Sequence, residues 1–221
     1  MSRDSRALIF LHGFLGAKED FDPLISLLRN RFECIAFDLS EVKNKISSFE
    51  QKPHCIGYSM GGRIALQIQE CFDTLFLLSA HPGLHSDEEK KERAIEEEKW
   101  LKLLETLSFD DFLAKWYAQP LFDSLVQKKE LFEEMLMRRK NQNPKKLMQL
   151  YKEMRLSLST RQERFSEKIH WICGEEDWKY RALYATIAHK THIVPHAGHA
   201  VHLENPAHCA KIILEYFDAN S

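Results

Sequence analysis

The stretch Gly57-Tyr58-Ser59-Met60-Gly61-Gly62-Arg63-Ile64-Ala65-Leu66 decides the fold. Apolar residues lead up to the serine and a helical pattern leaves it, so a strand ends and a helix begins at Ser59. The G-x-S-x-G spacing is that of a nucleophile elbow, a strained turn that lifts a serine hydroxyl above a parallel sheet. Glycines flank the serine because a Cβ at either position would crowd the turn. So short a pattern also arises by chance. Its weight comes from two glycine-rich companions, His12-Gly13-Phe14-Leu15-Gly16 upstream and Gly198-His199 far downstream.

Outward from the elbow, six apolar, β-rich runs are expected to form strands: 7–11, 33–37, 54–58, 74–79, 169–173 and 191–194. They are almost continuously hydrophobic, as strands covered on both faces are. Helical patterns at 21–29, 62–70, 181–188 and 206–217 alternate with them. The alternation predicts an α/β fold with a doubly wound, mostly parallel sheet of about six strands. Functional groups collect at the carboxyl ends of such strands, where His12, Asp38, Ser59, Ala80, Gly174 and Pro195 fall. Residues 83–166 break the alternation with charged helical patterns at 87–105, 110–117, 126–140 and 144–156. They read as a helical lid inserted into a core of residues 1–82 and 167–221. The charge run Asp87-Glu88-Glu89-Lys90-Lys91-Glu92-Arg93 is by default a solvated helix face.

Composition narrows the function classes. The chain has 221 residues and a net charge of −2 from 31 basic and 33 acidic residues. That balance argues against nucleic acid as a partner, which would need a dominant basic patch. No apolar run approaches a membrane span, and the short one after Arg6 reads as a strand rather than a signal peptide. The five cysteines lack framework spacing and read as reduced thiols. A soluble, cytoplasmic, monomeric enzyme is expected.

A serine hydroxyl needs a histidine as base, and the histidine needs an orienting carboxylate. In α/β-hydrolase folds the chain order is Ser, acid, His, and here Ser59, Asp177 and His199 occur in that order. Glu175 and Glu176 compete for the acid, and His196 and His202 for the base. The His196-x-x-His199-x-x-His202 spacing has the form of a metal site, but Pro195 and Gly198 break any helix there and no closed ligand set is completed. The backbone N–H groups of Phe14 and Met60 are expected to form an oxyanion hole, with the positive end of the following helix behind them.

Further stretches resemble one family of this superfamily, the 2-succinyl-6-hydroxy-2,4-cyclohexadiene-1-carboxylate synthases, pyruvate-eliminating lyases of menaquinone biosynthesis. They are the elbow through Arg63, His81-Pro82-Gly83-Leu84, Trp116-Tyr117-Ala118-Gln119-Pro120-Leu121-Phe122, Cys173-Gly174-Glu175-Glu176-Asp177-Trp178-Lys179-Tyr180, and Gly198 through Pro206. The resemblance implies a tricarboxylate substrate, bound by Arg63, Arg93 and Arg139 with Tyr58 and Trp116, and no metal or organic cofactor. Arginine suits that task because it grips carboxylates bidentately. Arg138 competes with Arg139 for the third place. The resemblance also implies that Ser59, activated by His199, removes a ring proton rather than attacking an acyl carbon. The chain departs from the family after Asp38, where Leu39-Ser40-Glu41-Val42 replaces a glycine-rich turn. Only 20 residues lie between Asp38 and Ser59, so a short or irregular helix is expected there. The alternatives are a carboxylesterase or thioesterase with the same triad, and a non-catalytic binding protein.

Overall fold

Each apolar run forms a strand: β1 (Ala7–Leu11), β2 (Glu33–Phe37), β3 (His54–Tyr58), β4 (Leu75–Leu78), β5 (Ile169–Gly174) and β6 (Thr191–Val194). A computed structural model describes residues 4–187 and 191–220. All pairings are parallel and the strand order is β2-β1-β3-β4-β5-β6. β1, with both faces covered, is buried along its whole length, whereas the edge strand β2 is exposed at Glu33. β4 stops one residue short of the expected end because Ser79 turns to φ 45°.

Alternate residues of the strands feed two cores. Ile9, Leu11, Cys55, Leu75, Leu77 and Trp171 face one side, and Leu8, Phe10, Ile56, Phe76, Leu78 and Ile172 the other, as the period of two requires. The helices α1 (Asp22–Leu28), α2 (Val42–Lys45) and α3 (Met60–Gln67) precede β4. α2 has a single turn, in keeping with the short segment between Asp38 and Ser59.

Between β4 and β5 run α4 (Asp87–Thr106), α5 (Phe109–Tyr117), α6 (Asp123–Gln127), α7 (Lys129–Lys140) and α8 (Pro144–Glu153). A single parallel bridge between Leu84 and Thr160 lies at the base of this insert. α4 starts where its sequence dictates: Ser86 Oγ accepts from Glu89 N, and Glu89 Oε2 accepts from Ser86 N, a reciprocal cap that satisfies two orphan donors. The pattern at 126–140 divides into α6 and α7 because Lys128 leaves helical geometry with ψ 71°. Its Nζ reaches the His196 carbonyl and the Glu204 carboxylate.

The last elements are α9 (Trp178–Ala185), α10 (Val201–Glu204) and α11 (Pro206–Ala219). α9 begins earlier than the pattern at 181–188 because Asp177 Oδ1 accepts from Tyr180 N at 3.2 Å; Ala188 lies outside the described residues. α1 and α11 cover one face of the sheet. α3 and α9 cover the other. The insert packs its own apolar cluster, including Phe112, Leu125 and Met135, onto Leu15, Ala200 and Leu203. Leu15 and Ala200 belong to the loops after β1 and β6, and Leu203 to α10. The strand order reverses between β1 and β3, so the crevice at their carboxyl ends is the expected ligand position.

Candidate active site

Ser59 sits between β3 and α3 with φ 49° and ψ −109°. A non-glycine residue there carries strain of roughly 1–3 kcal/mol, which persists only where the surroundings fix it. They do: Ser59 N donates to Leu78 O and Ser59 O accepts from Arg63 N. A Cβ on Gly61 would lie 2.3 Å from Leu11 O and 2.4 Å from His12 O, so glycine lets the start of α3 press against the end of β1.

The structure brings the three sequence candidates together. His199 Nε2 lies 3.3 Å from Ser59 Oγ, and His199 Nδ1 lies 2.9 Å from Asp177 Oδ2. Asp177 and His199 are 3% and 2% exposed, so the pair is shielded from water. The 3.3 Å contact is the long one, as is common before a substrate is bound. A Cβ on Gly174 would lie 2.1 Å from both Ala197 O and Gly198 O; glycine there allows the acid and histidine loops to meet.

The rival residues lie elsewhere. Glu175 and Glu176 are exposed, and Glu175 Oε2 accepts from His196 N. His196 is exposed. His202 is fully buried between the Phe21 and Tyr58 rings, at 4.7 and 4.3 Å between ring centres. Burial pushes its pKa down to about 3. Among the described residues no group of three or more His, Cys, Asp or Glu is placed to hold a metal ion.

Sequence reasoning assigned no role to Glu204, whose side chain is fully buried. It accepts from Gly198 N and Ala200 N, at 3.0 Å each, and from Ser124 Oγ and Lys128 Nζ. The backbone on both sides of His199 is thereby fixed to one carboxylate, which the insert also grips. A lone acid directly after Ala200-Val201-His202-Leu203 was the available signal.

The N–H of Met60 opens α3, where helix geometry supplies no internal acceptor. Phe14 follows Gly13, whose backbone is so close to the elbow that a Cβ would lie 3.4 Å from Ser59 Cβ. Both donors therefore border Ser59. A small cavity of about 40 Å³ opens there, lined by Phe14, Tyr58, Ser59, Trp116, Phe122 and Arg139 among others. The Tyr58 ring lies 5.3 Å from that of His199, and Trp116 packs 5.0 Å from Phe14.

The three arginines have different surroundings. Arg139 is 3% exposed and bidentate to Asp20, with Nη1–Oδ1 3.0 Å and Nη2–Oδ2 2.5 Å, and its Nε donates to Tyr117 Oη. Burial pushes the Asp20 carboxyl up, but Arg139 outweighs it and holds the pKa below its ordinary value. Arg138 points outward to Glu134 at 2.8 Å, with a longer contact to Asp20. Arg93 pairs with Glu96 and the buried Glu97. Half-buried Arg63 forms no ion pair among the described residues; burial lowers its pKa, with Arg93 acting the same way and Tyr180, Glu97 and Tyr151 acting against it. Tyr180 connects it to the histidine, with ring centres 4.9 Å apart. His81 sits in the same cationic field: burial, then Arg63, Lys179 and Arg93, push its pKa down to about 3.

A family model described as the alpha/beta hydrolase family matches residues 39–211. The 2-succinyl-6-hydroxy-2,4-cyclohexadiene-1-carboxylate synthase of Shigella sonnei is 31% identical over 219 residues, 92% of this chain and 79% of that protein. Its Escherichia coli counterpart is 34% identical over 165 residues, which span 69% of this chain and 63% of that protein. The solved structure of MenH from S. aureus superposes with a TM-score of 0.85 at 20% identity, over 99% of this chain and 97% of that one; at that identity the likeness speaks for the fold. Among the described residues no helix is long and apolar enough to cross a membrane.

Proposed function

Because the chain belongs to the α/β-hydrolase family and, within it, to the 2-succinyl-6-hydroxy-2,4-cyclohexadiene-1-carboxylate synthases, we propose that it is a lyase. It eliminates pyruvate from 2-succinyl-5-enolpyruvyl-6-hydroxy-3-cyclohexene-1-carboxylate. The Ser59 hydroxyl passes its proton to His199 Nε2, with Asp177 holding the imidazole and supporting the imidazolium that forms. The resulting alkoxide takes the ring proton next to the succinyl carbonyl. The electron pair moves onto the carbonyl oxygen, which the Phe14 and Met60 N–H groups stabilise. Collapse of that enolate forms the second ring double bond and expels the enolpyruvyl group, which takes up a proton and leaves as pyruvate.

The observation that carries the reading is Arg63: a half-buried guanidinium without an ion-pair partner among the described residues, one helical turn beyond the serine. Burying a charge without a partner is costly, and a carboxylate of the substrate removes that cost. Pyruvate release from the enolpyruvyl substrate is expected with the wild type, coupled to lactate dehydrogenase for detection, and is abolished in Ser59→Ala. No release from the wild type, alongside rapid turnover of p-nitrophenyl esters, overturns the lyase reading. The apolar part of the cavity, including Trp116, Phe122 and Leu125, favours a carboxylesterase as the second reading, and the same pair of assays separates the two.

A further inference from the structure

The loop that bears the Phe14 N–H does not hold its shape by itself. Its next residue, Leu15, is fully buried and sits at φ 61°, a region a bulky side chain adopts only when its surroundings require it. The local hydrogen bonds converge on Gly13 O, which accepts from Gly16 N and from His12 Nδ1 at 2.8 Å. The carbonyls of Leu15 and Gly16 are both taken by one side chain from the insert: Gln142 Nε2 donates to each at 2.9 Å. Gln142 lies in the turn between α7 and α8, its own N–H bonded to Arg139 O, and Asn143 caps α8 directly after it. Both partners are acceptors, so the amide must present its NH2 group to them. Its Oε1 is buried without a hydrogen-bond partner. A buried acceptor left unmade costs stability, and the orientation persists because reversing the amide would set Oε1 against two carbonyl oxygens.

We propose that Gln142 is a positioning residue for the oxyanion hole: from the helical insert it fixes the loop backbone at 15–16 and thereby keeps the Phe14 N–H aimed at the charge that develops beside Ser59. The proposal rests on the reading of Phe14 as an oxyanion donor. A second tie lies farther along, where Ala17 N donates to Asp20 Oδ2, the carboxylate held by Arg139. Gly13 O, in the donor's own peptide, is held from within the loop, and Gln142 is the nearer of the two ties that come from outside that turn.

Gln142→Met removes the donors with little change of shape, and Gln142→Lys returns a donor to the same place. In the full chain the Met variant is expected to lose about tenfold in kcat for pyruvate release with KM within about twofold, the pattern of a contact felt only in the transition state. The Lys variant recovers most of that loss. Amide exchange of the peptide spanning 12–17, read by mass spectrometry, speeds up in the Met variant and returns toward wild type with Lys. A Met variant with wild-type kcat or wild-type exchange overturns the proposal, as do Met and Lys variants that lose kcat equally. If the wild type releases no pyruvate, that failure belongs to the substrate reading; the exchange measurement, with p-nitrophenyl ester turnover, still decides the role of Gln142.

Discussion

The Arg139 and Arg63 guanidinium groups have opposite surroundings, and of the two it is Arg139 that lines the cavity beside Ser59. Arg139 is closed in by Asp20 and Tyr117. Arg63 is half-buried with no ion-pair partner among the described residues. As sequence both were candidates for a substrate carboxylate, Arg139 in competition with Arg138. A ligand that took Arg139 would have to displace Asp20 and leave that buried carboxylate with only the longer contact to Arg138 and the Ala17 N–H. A ligand that took Arg63 would remove a penalty already present. Arg139 thus looks built to join α7 to the segment after β1, and Arg63 to receive an anion.

The largest effect should come from separating the buried pair. Arg139→Met strands Asp20, and breaking such a pair costs about 3–5 kcal/mol, a fall in Tm of roughly 10 °C for a chain of this size. Urea and thermal unfolding of the two proteins measure it. An unchanged Tm with a large rise in KM would break the comparison, since Arg139 would then be a ligand-binding residue after all.

Arg63→Met should do the reverse. A charge-assisted hydrogen bond contributes about 1.5–3 kcal/mol, so loss of a bidentate contact lowers kcat/KM roughly 10²–10³-fold. Tm should hold or rise slightly, because a buried unpaired charge has been removed. Normal turnover in this variant would place the carboxylate-binding wall elsewhere, with Arg93 and Lys179 the first places to look.

How much of this was legible depended on distance along the chain. The elbow, the six strands and the sequence Ser59, Asp177, His199 follow from local pattern, because turn geometry and strand-end placement are local properties. The partner of Arg139 does not: Asp20 lies 119 residues away, and only the packing of α7 against the loop after β1 brings them together. The break at Lys128 was hidden for the same reason. A helical pattern ran through it, and the acceptors that draw its side chain away, His196 O in the loop after β6 and Glu204 in α10, lie far along the chain. Trp116 reads equally well as core or pocket; it is half-buried and is both, touching Phe14 and Trp100 while lining the cavity.

The smallest effect tests the closed-in region from another side. His202 lies near Asp20, yet Asp20 is already committed to Arg139, so it cannot support a buried imidazolium. Burial keeps the ring neutral, with Asp20 favouring the proton and Arg139, His199 and His12 opposing it. From an ordinary pKa near 6.5 down to about 3, the unfolded chain takes up a proton that the native state refuses. Stability therefore falls as pH falls through that window. The loss from this group is roughly 2 kcal/mol between pH 8 and pH 5. His202→Phe removes it, and the drop in Tm between those two pH values should shrink by roughly 4–8 °C. His12, His54 and His81, whose pKa values are also lowered by burial, leave a residual slope. An unchanged slope would mean that His202 is charged in the native state. Arg139→Met sharpens the point: it frees Asp20 to pair with His202, so its acid sensitivity should also shrink even as its stability at pH 8 falls.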